Sequence, residues 1–354
     1  VKDAIVYYGA LVLLGAYSLS NGAPSADNLF FYRASYFPGL TRLDVKSLTS
    51  IDIMAGGGSS TRARNAQGNK ITLCGIYQDG HACPEKFNLS EAFLGFTQNI
   101  VRGVFLYALL PFRSIKRESV YHIESADSAK PPACQQGMGD ASFYIGWTLN
   151  YQDTQELDFI DLTGKIGVLA PIALTTPGVF SLGYDQHMGI PFTFDIALGL
   201  YDWLTIGGHA SAVHFLDKER HVVTCNDTRE LTIVRASVHR GPQWLAAGYM
   251  QADHFFRGFS LLLCFSCANK YADHMQSCRE QSKAECSTQS TSRLIPAWSM
   301  QTLNFLLEYD FTRQNPTTGL RLGAFYNLNV GGRNIVTTGV GGGALGIEVQ
   351  WLFD

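Results

Sequence analysis

The stretch that decides the fold is Ala344–Phe353, ALGIEVQWLF. Leu345, Ile347, Val349, Trp351 and Phe353 alternate with Ala344, Gly346, Glu348, Gln350 and Leu352. A period of two sends the two sets to opposite faces of a β-strand. One face is apolar and ends in aromatics; the other is mostly small or polar. The same rhythm returns upstream. Phe143, Ile145, Trp147, Leu149 and Tyr151 alternate with Ser142, Tyr144, Gly146, Thr148 and Asn150. Phe192, Phe194, Ile196, Leu198 and Leu200 oppose Thr193, Asp195, Ala197, Gly199 and Tyr201. Segments 160–170, 303–311 and 320–330 behave alike. Each is about ten residues long, enough to cross a bilayer when tilted, whereas soluble strands average about five or six.

Composition agrees. The chain has 354 residues, 46% hydrophobic and only 16% charged, against the usual quarter of charged residues in soluble domains. A net charge of −3 without a basic run excludes a typical nucleic-acid binder. Residues 1–26 carry Lys2, an apolar run from Ala4 to Tyr17 and a small-residue exit. They read as a signal peptide, or else as a retained N-terminal segment. Residues 27–46 follow as a periplasmic segment or plug, and 47–354 as the barrel.

About twelve strands are expected, near 47–58, 90–100, 103–116, 140–151, 157–171, 190–201, 203–216, 239–252, 256–270, 297–311, 318–330 and 341–353. Fourteen is the alternative. Short and long connections alternate, the last long one being 331–340. Outer-membrane barrels have short periplasmic turns and longer outer loops. With a periplasmic C-terminus, every long connection lies outside the cell. Cys74, Cys83, Cys134, Cys225, Cys264, Cys267, Cys278 and Cys286 then fall on that outer side, Cys264 and Cys267 at the upper end of a strand. An even count in an exported chain favours disulfides, with Cys74–Cys83 and Cys278–Cys286 the preferred local pairs. The Cys264-x-x-Cys267 spacing is only loosely that of a zinc ribbon, so neither metal nor cofactor is expected.

On these strands, the aromatic-ended final strand and the turn–loop asymmetry, residues 47–354 resemble a Gram-negative outer-membrane β-barrel. The resemblance implies an all-β, closed antiparallel transmembrane barrel in the bacterial outer membrane, with the lipid bilayer as its surroundings. A second resemblance lies in Gly15–Leu43. The Gly15-Ala16-Tyr17 start, the Ala26-Asp27 pair and Pro38-Gly39-Leu40-Thr41 look like the N-terminal hatch of FadL-type transporters of hydrophobic compounds. Phe37 before Pro38 departs from that family's pattern.

Strand parity then sorts the side chains. Phe143, Ile145, Trp147, Phe194, Leu322, Tyr326, Ile347, Val349 and Trp351 are expected to face lipid. Asp52, Asp161, Lys165, Asp195, His209, Glu308, Asp310, Arg321 and Glu348 are expected to line the lumen, with Tyr144, Tyr201 and Phe325. Carboxylates outnumber cations in this set, and interior carboxylates need water or a cationic partner. A polar, acidic-leaning lumen points to a channel or transporter for small-molecule solutes with mild cation preference. The alternative is a surface structural or adhesive barrel with disulfide-tied loops.

Two motifs suggest other chemistry. Gly341-x-Gly343-x-x-Gly346 matches a dinucleotide fingerprint as text, but a strand follows it where that fingerprint needs a helix. His209-x-Ser211 puts an imidazole and a hydroxyl on one strand face, as in outer-membrane phospholipase A. Nucleophilic catalysis also needs an orienting partner for the base. None is apparent, and both residues are expected in the lumen, so no enzyme is expected.

Overall fold

The computed structural model describes residues 48–73, 84–101, 103–119, 134–152, 157–173, 182–184, 186–201, 203–225, 231–256, 258–277, 297–311 and 318–350. Segments 1–26 and 27–46, the FadL-like stretch, Cys74, Cys83, Cys278, Cys286, Trp351 and Phe353 lie outside these residues. So do the side chains of Cys225, Glu348, Val349 and Gln350.

The described elements are β1 (Leu48–Arg64), β2 (Lys70–Thr72), β3 (Pro84–Val101), β4 (Val104–Ser119), β5 (Cys134–Met138), β6 (Ala141–Gln152), β7 (Phe159–Ala170), β8 (Gly189–Tyr201), β9 (Leu204–Phe215), β10 (Lys218–Cys225), β11 (Leu231–His239), β12 (Gln243–Phe256), β13 (Phe259–Lys270), β14 (His274–Ser277), β15 (Trp298–Asp310), β16 (Thr318–Arg333) and β17 (Ile335–Gln350). Neighbours pair antiparallel in the order β17-β16-β15-β13-β12-β9-β8-β7-β6-β4-β3-β1, and β17 pairs with β1. The result is a closed twelve-stranded barrel; the fourteen-stranded alternative is excluded. Closure removes both sheet edges, so every wall strand finds two partners.

Parity behaves as the alternation requires. Phe143, Ile145, Trp147, Phe194, Leu322, Tyr326 and Ile347 are exposed on the outer face, while Asp195, His209, Arg321 and Asn327 are buried inside. Tyr201 is a correction: it is exposed, stacked on Trp203, because the register shifts between Gly199 and Tyr201 and a bulge reverses the face. The expected loop at 331–340 is a second correction. β16 runs to Arg333 and β17 starts at Ile335, so Asn334 alone makes the reversal, at φ 53°. Asn tolerates that left-handed conformation better than most residues.

The short connections include Gly103 and Gly258 at positive φ, where a Cβ would be strained. The long connections carry structure of their own. β2 pairs with β1, β5 pairs with β4, and β10, β11 and β14 form a separate three-stranded sheet.

The wall is tallest on one side. β1, β3, β4, β16 and β17 run 16 to 18 residues, beyond what a bilayer needs. Their upper inner faces form an apolar cluster of Ala63, Phe87, Leu89, Ile115 and Val336, joined by Leu73 and Leu182. Leu182 comes from the long connection between β7 and β8 and packs into this cluster at the barrel mouth.

Candidate functional site

The lumen holds three layers. Nearest the short turns lie Asp52, Asp161, Glu308, Asp310 and Arg321. Arg321 Nη2 is 3.7 Å from Asp52 Oδ1, and Nη1 is 3.9 Å from Glu308 Oε1. Asn150 Nδ2 donates to Asp161. Met54, Phe93, Leu109 and Ala344 form an apolar girdle with Tyr107, Leu306 and Phe325 packed on it. Phe325 packs against Gly56, where a Cβ would sit 2.7 Å from its Cζ.

On the β7–β8–β9 wall, residues at directly paired positions make two polar rows. In one, Thr163 faces Asp195 and Asp195 faces His209. His209 Nδ1 bonds Asp195 Oδ1, and Lys165 Nζ stands 4.0 Å from Asp195 Oδ2. In the other, Lys165 faces Thr193, Thr193 faces Ser211 and Ser211 faces Leu245.

A latch closes the layer above. Asp140, just before β6, accepts N–H bonds from Ala173, at 2.9 Å, and from Tyr184. Arg113 Nη1 donates to the Leu182 carbonyl at 2.7 Å, and its Nε donates to Glu91 Oε1 at 2.8 Å. Arg240 Nη1 donates to the Tyr184 carbonyl at 2.6 Å and stacks over Tyr184 and Phe215. His187 Nδ1 donates to the Leu216 carbonyl at 3.1 Å. A Cβ at Gly183 would overlap the Asp140 carboxylate and Ala173, so only glycine fits. Burial pushes the Asp140 carboxyl above its ordinary range, against the pull of the two N–H bonds and of Arg113 and Arg240. Burial likewise pushes the Tyr184 phenol up, so it stays neutral.

Beneath this latch lies a cavity of about 100 Å³. Its lining includes Tyr107, Tyr144, Lys165, Tyr184, Thr193, His209 and Ser211, with Leu169, Pro191, Val213 and Leu245 supplying apolar walls.

The sequence-expected residues Asp195, His209 and Lys165 come together, as do Glu308 and Arg321. Asp161 and Asp310 stand near the short-turn end, and the Glu348 backbone faces Ser50. Glu91, Arg113, Asp140 and Arg240 were not expected in the lumen. Arg113 lies within the expected strand 103–116, and Pro111 and Ile115 on the same face are buried inside with it. Arg113 and Arg240 add two cations and Glu91 and Asp140 two carboxyl groups, so the acidic excess of the expected set is left as it was.

The cysteine expectation needs correction where it can be seen. Cys134, Cys264 and Cys267 are free thiols. Cys264 is buried in the wall between Tyr249 and Asn304, well below any loop. Cys267, three residues on, faces the other side, because odd spacing on a strand reverses the face. The two cannot share a metal ion, and no cluster of potential ligands occurs among the described residues.

Asp195 does supply the orienting partner for His209 that the sequence did not reveal. Ser211 stands in the neighbouring row, opposite Thr193 and Leu245.

No protein-family model and no curated protein matches the chain. Solved structures do. An outer-membrane channel from Pseudomonas putida F1 superposes with a TM-score of 0.59 at 11% identity, over 88% of this chain and 97% of that one. The toluene transporter TodX of P. putida gives 0.39 at 8% identity, over 96% and 100%. The NanC porin gives 0.36 at 10% identity, over 85% and 100%. Closure, strand number and the first of these likenesses lead to one structural conclusion: the chain has the fold of the outer-membrane β-barrels.

Proposed function

We propose that the protein sits in a bacterial outer membrane and passes small solutes through its lumen, with the connection between β7 and β8 as the outer gate. The observation that carries this reading is the polar, incompletely satisfied interior. Among the described residues, the side-chain oxygens of Ser50, Thr97 and Thr193 and the amide nitrogen of Asn327 are buried without a hydrogen-bond partner. An unmet buried polar group costs roughly 1–3 kcal/mol. Water or solute along the axis meets those groups, and a hydrated axis behind a latched mouth is a gated path. The apolar outer face supports the membrane setting.

The layer near the short turns carries Asp52, Asp161, Glu308 and Asp310 against Arg321. That balance favours mild cation preference for inorganic ions at the periplasmic mouth. Asp195 contributes less, because Lys165 and His209 already answer its charge.

Planar-bilayer recording and liposome swelling test the reading. The expected result is low, intermittent conductance that rises when the latch is broken, with Asp161→Asn and Asp310→Asn lowering cation selectivity. A barrel that stays closed to ions and small sugars even with the latch broken defeats transport. A surface structural barrel would then be the better reading.

A further inference from the structure

We propose that the cavity under the latch is a binding site for short-chain monocarboxylates, with Lys165, Thr193 and Ser211 at its polar end. The proposal deepens the transport reading and rests on it for the route of entry, not for binding itself.

The argument starts from three neighbouring positions. Lys165, Thr193 and Ser211 stand at directly paired positions on β7, β8 and β9. Side chains so paired lie about 5 Å apart at Cβ. All three line the same cavity. Lys165 ends in an amine that offers up to three donors, and among the described residues no protein acceptor lies within hydrogen-bond distance of it. Its nearest carboxylate, Asp195 Oδ2, is 4.0 Å away, and the Tyr107 ring centroid is 5.3 Å away. Thr193 is buried and its hydroxyl has no protein partner. A cation and two hydroxyls converging from adjacent strands recognise an anionic oxygen pair.

The other walls define the rest of the ligand. Leu169, Pro191, Val213 and Leu245 present apolar surface, the usual make-up of a small-molecule site with a few placed polar groups. The volume of about 100 Å³ is roughly two-thirds of an apolar cavity that accepts benzene, about 150 Å³. That limits the ligand to an acid the size of propionate. Charge decides against the alternatives. Lys165 repels an organic cation. The lining carboxylate, Asp140, is turned to the backbone N–H groups of Ala173 and Tyr184. The Asp195 Oδ1 atom is taken by His209.

The test uses the full barrel in detergent micelles with propionate, propionamide and propylammonium as probes, read by calorimetry and saturation-transfer NMR. Propionate should bind saturably and at least about tenfold more tightly than either other probe. Lys165→Met should weaken it roughly 10- to 100-fold, the loss of a charge-assisted hydrogen bond. Thr193→Val and Ser211→Ala should each weaken it roughly two- to tenfold, which keeps the test alive if Lys165→Met fails to fold. Equal binding of propylammonium, or unchanged propionate binding in the folded variants, overturns the proposal. Liposome flux separates the two readings. Binding without flux leaves the site and removes transport, and flux without propionate binding does the reverse.

Discussion

Asp140 receives the main-chain N–H of Tyr184, a residue 44 positions further along the chain. That bond ties the β7–β8 connection to the barrel rim, and Gly183 makes it possible by carrying no Cβ. Arg113 and Arg240 take the carbonyls of Leu182 and Tyr184. The latch therefore holds backbone, whose hydrogen-bonding groups no substitution within the segment can remove, apart from proline at the nitrogen.

Breaking the latch should open the mouth. Asp140→Ala removes two acceptors, and Gly183→Ala forces the carboxylate away. Each should cost the docked segment roughly 1–3 kcal/mol. Single-channel open probability should rise severalfold, and protease should cut near residue 182 faster than in the parent. A variant that is cut faster but conducts no better would separate docking from gating.

The latch should also respond to pH. Asp140 is raised mainly by burial, so the docked state holds its proton more tightly than the undocked state does. Docking is therefore weakest above the raised value. It strengthens as pH falls through that value, and the gain is complete below the ordinary carboxylate range. The charged groups facing Asp140 are Arg113, itself paired with Glu91, and Arg240, while burial keeps Tyr184 neutral. Conductance should fall on acidification from neutral pH, and Asp140→Asn should flatten the response. An unchanged pH profile in Asp140→Asn would assign the effect elsewhere.

Much of the wall is legible in the sequence, because bilayer-length strands with one apolar face leave a period-two signature that few other structures produce. Phe143, Ile145 and Trp147 show it plainly. The same parity puts Asp195, His209 and Arg321 on the face that is buried. What escapes is of three kinds. Tyr201 escapes because a bulge reverses parity without changing composition. The 331–340 stretch escapes because Gly331, Gly332 and Gly339 read as loop, while pairing with β15 holds the first two in β16 and pairing with β1 and β16 holds Gly339 in β17. The latch escapes because its bonds are made to main-chain N–H and C=O groups of a connection whose path no local pattern encodes.

The free thiols should be distinguishable by reagent. Cys134 is exposed and should react with a water-soluble maleimide within minutes. Cys264 is buried in the wall, out of reach of such reagents. It should react only after unfolding. Cys267, half-buried on the outer face, should prefer a lipophilic reagent. Mass shifts on peptides from the folded, unreduced protein check this, and a mixed disulfide at Cys264 would contradict the structure.

The outer face should reject charge. Ile145→Arg and Ile347→Arg place a guanidinium on the apolar band and should each destabilise the folded barrel by roughly 2–4 kcal/mol if near the bilayer midplane. Urea titration in lipid vesicles measures this. A neutral effect at both sites would mean that the band does not meet lipid.

The Glu91–Arg113 pair yields the last prediction. Both side chains are almost fully buried, at 2% and 4% exposure, with Nε–H donating to Oε1 at 2.8 Å. Removing one partner strands the other charge, at a cost of roughly 3–5 kcal/mol. Glu91→Gln leaves a guanidinium still held by the Leu182 carbonyl, so its loss should be the smaller. Arg113→Met strands a carboxylate and frees Leu182 as well, so it should lose more and also loosen the latch. The double variant Glu91→Gln/Arg113→Met removes both charges. It should recover much of the stability in urea titrations but none of the gating, because the bond to Leu182 is still missing. Recovery of both would show that the pair acts on the gate through barrel stability alone. Recovery of stability without gating would show that Arg113 holds the segment directly.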